Sequence, residues 1–273
     1  KADAATLEIK AVSSDLGFSN CQGRAFLAVD PAKAYVGTTK GVAVVRLGDL
    51  SLAGTIDGIL NDAGKEVECG NMARVDDRVF VTTKSSFIYV VDPETDAVTG
   101  KINMVELTGN DKAKAASIVV ANDGTLWASV ASGTSGATLP YLVKIAGSES
   151  DASEITTEVV NIPEGIYAPA NSWYTWTPDA FCASPKAPVL YWNGGASSFK
   201  SNKELFKYDL STGVFSKFYE FADDQFLYGS AMRVSPIDGD IYLAYVSGNA
   251  YSDATTLARL NAVGDIAAQY PMS

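Results

Sequence analysis

The chain has 273 residues, 47% of them apolar and 19% charged, with a formal net charge of −11. A chain of that length buries roughly 75% of its unfolded surface, so a disordered protein is excluded, and the acidic balance argues against a broad basic surface for nucleic acid or anionic lipid. There is no histidine, which removes the Ser-His-Asp and Cys-His nucleophile systems and every His-ligated metal site, and leads to the expectation that the protein is not an enzyme.

Taken in chain order, residues 6–12 (TLEIKAV) read as a lone strand. Residues 24–56 (RAFLAVDPAKAYVGTTKGVAVVRLGDLSLAGTI) then run as a short apolar strand, a polar turn, an aromatic strand, a small-residue turn, an apolar strand, an acidic turn and a last strand. Residues 71–102 (NMARVDDRVFVTTKSSFIYVVDPETDAVTGKI) repeat that order. It returns over residues 117–160, 180–221 and 231–270. The aromatic second strands begin near Ala34, Val79, Leu126, Val189 and Ile241, at spacings of 45, 47, 63 and 52 residues, with the excess in loops.

The turns have a shared chemistry. DPAKA, DDR, NDG, SPKAP and PIDGD join first to second strands, and DPETD and DLSTG join third to fourth. Asp, Asn, Pro and Gly close such turns by side-chain bonds to the backbone, a preset φ or a positive φ. Strand cores such as YVV and VFV are β-branched or aromatic, as a sheet buried on both faces requires. Helical periodicity is absent; Ala113 to Ala116 is the best helical candidate and is very short.

Four short antiparallel strands recurring at this period match one propeller blade per repeat. The expectation is an all-β β-propeller occupying residues 1–273 as a single domain, with residues 6–12 as the outer strand of a preceding or closing blade. The linkers 57–68, 105–114 and 161–177 leave room for further strands.

Propellers bind at the mouth of the channel, where connections into successive innermost strands converge. Repetition therefore assigns Arg24, Asn71, Asp179 and Tyr228 to one rim. Between repeats, YAPANSWYTWTPD carries Trp173, Tyr174 and Trp176, either a flat platform for a sugar, corrin or nucleobase or a plug between blades. Trp127 and Trp192 fall inside second strands and read as core. Arg24 in a first strand needs a partner, with Asp179 or Glu68 the nearest expectations. Cys21, Cys69 and Cys182 show no C-x-x-C pairing, so no zinc site is expected. Cys21 and Cys69 sit alike in successive repeats, as a disulfide or as buried thiols. Asn122-Asp123-Gly124 and Asp238-Gly239-Asp240 lack the ligand run of a calcium loop and read as hairpin turns. The Gly-rich YWNGGASSFKS is no phosphate loop, lacking GxxxxGK[ST]. Asp223-Asp224, read on a strand, would point to opposite faces and make a poor acid–base pair.

YVVDPETDAVTGKI looks like the repeat of YVTN/YncE-type propellers. The closing stretch, with Tyr228, Gly229, Pro236, Gly239, Asp240, Ile241, Tyr242 and Gly264, resembles the last blade of YncE-like surface lipoproteins of Gram-negative gut bacteria, a group that includes BtuG-type cobalamin-capturing propellers. That resemblance implies seven blades and a non-enzymatic binding module at the outer-membrane surface, held by a lipid anchor absent from this chain. It also implies a cobalamin-like ligand or an outer-membrane transporter as partner, with no cofactor required. The chain is expected to be a monomer without nucleic-acid partners. No run approaches the ~20 apolar residues of a membrane span, and no signal peptide is read at its start. A glycosidase or lyase built on paired carboxylates, or an adhesive scaffold, are the alternative readings.

Overall fold

The structure is a computed structural model describing residues 2, 5–6, 8–10, 25–132, 137–147, 155–169, 181–194, 203–248 and 253–272. It divides into two compact units, Lys1–Asn103 and Met104–Ser273. The described strands form five four-stranded sheets, each in strict sequence order and antiparallel throughout.

The first unit holds two sheets. Sheet 1 comprises β1 (Phe26–Ala28), β2 (Lys33–Thr38), β3 (Gly41–Arg46) and β4 (Leu52–Thr55). Sheet 2 comprises β5 (Cys69–Val75), β6 (Arg78–Thr83), β7 (Phe87–Asp92) and β8 (Ala97–Asn103). Their facing sides close one core in which Tyr35, Val42 and Val44 of sheet 1 meet Val79, Val81, Tyr89 and Val91 of sheet 2. Middle strands are buried on both sides, while β4 and β8 are largely exposed. That gradient fits blades whose outer edge faces water. The sheets are also tied at their turns: Lys33 Nζ binds Asp96 Oδ1 at 2.6 Å, and the buried Tyr35 hydroxyl donates to the same carboxylate. Gly37 is glycine because its neighbours leave no room. A Cβ there would lie 2.3 Å from that of Ala25 and 2.9 Å from the Cys69 sulfur.

The second unit opens on a short helix, α1 (Met104–Thr108), and holds three sheets. Sheet 3 comprises β9 (Ala113–Val120), β10 (Leu126–Ser132), β11 (Ala137–Ala146) and β12 (Thr156–Asn161). Sheet 4 comprises β13 (Phe181–Ala183), β14 (Val189–Gly194), β15 (Glu204–Asp209) and β16 (Val214–Glu220). Sheet 5 comprises β17 (Gln225–Val234), β18 (Ile241–Ser247), β19 (Thr256–Leu260) and β20 (Ile266–Pro271). The innermost strands adjoin, β13 lying beside both β9 and β17. Trp127 and Trp192 are core residues. Their indole N–H groups are satisfied by Thr125 Oγ1 at 2.9 Å and Tyr167 O at 2.8 Å.

Three local expectations are corrected. Ala113 to Ala116 is strand, the start of β9, because its buried side chains alternate into a ladder with β10; the helix lies just upstream, at Met104. In the 6–12 segment, Thr6 lies in a turn and Ile9 makes only an isolated antiparallel bridge to Ala2. Asp223 and Asp224 occupy the turn before β17, not a strand.

The turns close as their residues dictate. Asp30 Oδ1 accepts from the backbone N–H of Ala32 and Lys33. Asp92 accepts from Glu94 N–H and the Thr95 hydroxyl, and Asp209 from Ser211 and Thr212. The Ala32 backbone bond leads in holding Asp30 below the usual carboxylate range; the Thr95 hydroxyl does so for Asp92. A folded-state pKa below the unfolded one gives stability that is present above the unfolded value of about 3.9 and lost as pH falls through the folded value. The melting temperature is therefore expected to hold down to about pH 4.5 and drop below about pH 4. In the double variant Asp30→Asn/Asp92→Asn, which keeps both turn acceptors, that drop becomes shallower. An unchanged acid limb in calorimetry would remove these turns as its cause.

The second strands share a further feature. Aligned by register, Gly37, Thr82, Ser129, Asn193 and Ala244 occupy one position, three residues after Ala34, Val79, Leu126, Leu190 and Ile241. Two of them serve the neighbouring innermost strand. Thr82 Oγ1 accepts from Asn71 N–H at 2.9 Å beside the irregularity between Cys69 and Met72. Ser129 Oγ accepts from Ser117 N–H at 3.1 Å beside another. Both hydroxyls are buried. Thr82→Val, which keeps shape and removes the acceptor, is expected to cost about 1–3 kcal/mol in urea unfolding, while Thr82→Ser costs less than half of that. Equal losses in the two variants would show that packing, not the hydrogen bond, is what Thr82 supplies.

Candidate functional site

Strand direction sorts the residues. In each sheet, the end where the second strand finishes and the third begins is also where the first strand starts. In sheets 4 and 5 this end is marked by Gly194, Glu204, Glu220, Gln225 and Ser247. The stem of the aromatic segment reaches it: Pro169 bridges to Gly194, Ala168 is buried, and Tyr167 sets its ring edge-on to Phe206 at 6.1 Å. A Cβ on Gly194 would fall 2.3 Å from the Phe206 ring and 2.9 Å from Tyr167, so only glycine lets the stem lie down there. Tyr167 nevertheless keeps 49% of its surface in solvent.

Nearby, Lys203 Nζ binds the Asp223 carbonyl at 2.6 Å and its carboxylate at 3.3 Å, and stands 5.5 Å from the centre of the Phe226 ring. Gly248 N–H donates to Asp224 O at 2.7 Å, fastening the turn to the end of β18. On β17, Leu227 turns into the core with sheet 4, and the regular register ends there, Tyr228 opening the irregular stretch that runs to Met232. Tyr228 is 43% exposed. The arrangement presents aromatic faces beside an ammonium, which suits a flat apolar ligand or one with an anionic edge.

At the corresponding end of the first unit, Lys84 pairs with Glu68 at 2.5 Å and Lys40 with Glu66 at 3.5 Å. The Ser86 hydroxyl donates to Asp62, and Tyr89 OH donates to Leu60 O. Asn71 is half-buried within β5, its N–H held by Thr82.

Of the predicted site residues, Arg24, Trp173, Tyr174, Trp176 and Asp179 lie outside the described residues, as does Cys21. Asn71 and Tyr228 are described, one in each unit, and both stand inside innermost strands rather than in the connections before them. The strands start earlier than composition suggests because β5 and β17 absorb irregular residues, between Cys69 and Met72 and between Leu227 and Met232. Glu68 takes Lys84 as its ion partner. Sequence reasoning missed Lys203; Tyr167 opens the aromatic segment that it singled out, and Phe226 stands in the last of the connections it assigned to the rim. The signal for Lys203 is positional: it stands immediately before the third strand β15, at the end that also carries Tyr228. Among the described residues, no group of three or more Cys, Asp or Glu gathers to hold a metal ion, and no helix is long and apolar enough to cross a membrane.

The two described cysteines are free and buried. Cys182 donates to Met232 O at 3.1 Å, and burial pushes its thiol up to about 11; burial also raises that of Cys69. Neither supplies a thiolate near neutral pH. In the native protein, iodoacetamide is expected to leave Cys69 and Cys182 unlabelled while both react in urea, as read by peptide mass mapping. Labelling of either at the unfolded rate would contradict their burial.

The chain belongs to the family described as Domain of unknown function (DUF5074), which matches it over residues 1–272. No curated protein matches the chain. Among solved structures it is similar to the Dos1 propeller, at TM-score 0.60 and 13% identity over 88% of this chain and 58% of that one. A luciferin-regenerating enzyme is similar at TM-score 0.55 and 12% identity, over 93% of this chain and 77% of that one. The extracellular domain of BT4673 from B. thetaiotaomicron is similar at TM-score 0.54 and 13% identity, over 85% of this chain and 27% of that one. Together with the five sheets, these likenesses make the fold a β-propeller. They also correct the expectation that the chain is not an enzyme. The same fold carries a luciferin-regenerating enzyme, so lack of histidine does not remove this scaffold from catalysis: carboxylates, lysine and tyrosine are chemistry enough for many reactions.

Proposed function

We propose that this member of the DUF5074 family captures a small molecule with a flat apolar face in its second unit, at the sheet end marked by Tyr228, Phe226 and Lys203. The observation that carries this reading is the solvent-facing Tyr228 ring on β17, two residues from Phe226, over which Lys203 stands. An aromatic ring that could have been buried is held out at a strand position, two residues along from the ring that Lys203 covers. Trp173, Tyr174, Trp176 and Asp179 lie outside the described residues and enter the proposal from the sequence alone, as further contacts for the same ligand.

The protein works outside the cell in this reading. A cobalamin-like corrin is the first ligand to try, on the likeness of its closing stretch to YncE-like surface propellers; attachment to the outer-membrane surface and a membrane transporter as partner follow from the same likeness. The extracellular setting of the similar BT4673 domain supports a place outside the cell.

The experiment is a thermal-shift and calorimetric screen of cobalamins, haem-like macrocycles and glycans against the purified chain. A binder at 100 times its Kd is expected to stabilise by about 2.7 kcal/mol, a clear rise in melting temperature. Tyr228→Ala should weaken that binder roughly 2- to 10-fold, the worth of one aromatic pair, without lowering the melting temperature of the free protein. Binding that survives Tyr228→Ala, Trp173→Ala and Trp176→Ala together would place the ligand elsewhere, and no shift across the screen would remove the reading.

A further inference from the structure

Four places in the chain join Asp or Asn to glycine: Asp57-Gly58, Asp123-Gly124, Asn193-Gly194 and Asp238-Gly239. Glycine after Asp leaves the peptide nitrogen unshielded, so folding decides whether the side chain and that nitrogen can meet. At three of the four they are held apart. The Asp123 carboxylate accepts from Thr125 N–H at 3.0 Å and its hydroxyl at 2.6 Å, while Gly124 N–H donates to Ala121 O at 3.0 Å. The Asp238 carboxylate accepts from Asp240 N–H at 3.1 Å and from Arg259 at 3.3 Å, while Gly239 N–H donates to Ser235 O at 3.0 Å. Asn193 is buried in β14, its amide donating to Glu204 O at 3.0 Å.

Asp57-Gly58 differs in every respect. Both residues are exposed and lie in the turn that leaves β4. Among the described residues nothing hydrogen-bonds the Asp57 carboxylate or the Gly58 N–H, and the space around Gly58 is open, the nearest atom to a Cβ there being Val98 Cγ2 at 3.9 Å. We infer that Asp57-Gly58 is a site of spontaneous isoaspartate formation, the one Asp-Gly pair that the fold leaves reactive.

The chemistry needs only water. The Gly58 nitrogen attacks Asp57 Cγ, a C–N bond forms, and the carboxyl oxygen leaves as water with the amide proton, closing a succinimide. Water then adds to one of the two ring carbonyls. Addition at the main-chain carbonyl breaks its bond to the Gly58 nitrogen and leaves the chain running through Cβ and Cγ of Asp57. Overall mass is unchanged, and the backbone is longer by one methylene.

That extra length falls at a sensitive place. Ile56, whose N–H is bonded to Val42 O at 2.9 Å, and Ile59 flank the turn, and both are buried in the core between sheets 1 and 2. Leu60, next along, is the partner of the Tyr89 hydroxyl. Isoaspartate at 57 therefore strains the connection from one sheet to the next, and makes the modified chain a substrate for an enzyme that methylates isoaspartyl carboxyls.

The test ages the folded protein at neutral pH and physiological temperature, and quantifies isoaspartate at each Asp-Gly pair by electron-transfer fragmentation and by an isoaspartyl methyltransferase assay. Isoaspartate at 57 is expected to build up roughly ten-fold faster than at 123 or 238, the protection one net hydrogen bond sustains. In urea the three rates should converge. Asp57→Glu, which blocks the five-membered ring, should remove most of the methyl-accepting capacity of the aged folded protein. Equal rates at the three pairs in the folded state, or none at 57, would overturn the inference.

Discussion

A strand covered on both faces cannot leave a backbone N–H without an acceptor, since water is not there to serve it. The middle strands of these sheets are in that position, and the innermost strands add a complication: they carry irregularities that break the ladder. Where β5 departs from register, Asn71 N–H loses its carbonyl and finds Thr82 Oγ1; where β9 departs, Ser117 N–H finds Ser129 Oγ. A hydroxyl on the second strand thus makes an irregular innermost strand tolerable in sheets 2 and 3.

The same economy runs through the turns. Acidic side chains that give the chain much of its negative charge are spent locally, on the N–H groups of their own hairpins or on a neighbouring sheet. Asp96 serves Lys33 and Tyr35 together, and Asp240 and Asp238 clasp Arg259. The charge is part of the architecture as well as of the solubility.

How much of this could be read beforehand depends on how local its cause was. Turns such as DPETD and PIDGD declare themselves, because Asp, Pro and Gly act on backbone within three residues. Second strands do so as well, because β-branched and aromatic runs suit two-sided burial. The start of β9 did not: Ala113 to Ala116 has helical composition and becomes strand only because β10 offers a ladder, a tertiary cause invisible in four residues. For the site, the repeat led to Tyr228 and Asn71, since equivalent positions in a repeat have equivalent surroundings. Lys203 escaped, because what makes it interesting is a pair of partners far along the chain, Asp223 and Phe226.

Gly37 and Cys69 deserve to be considered as one object. The sulfur fills the space that a side chain at 37 would take, so the separation of the two sheets in the first unit is set by one methylene and one sulfur atom. Alanine at 37 would press on the Ala25 Cβ first and on the sulfur second, and serine at 69 would put a hydroxyl where no water reaches. Gly37, Ala25 and Cys69 together form a spacer of fixed thickness, and a larger residue at 37 is compatible with it only if both neighbours shrink or move.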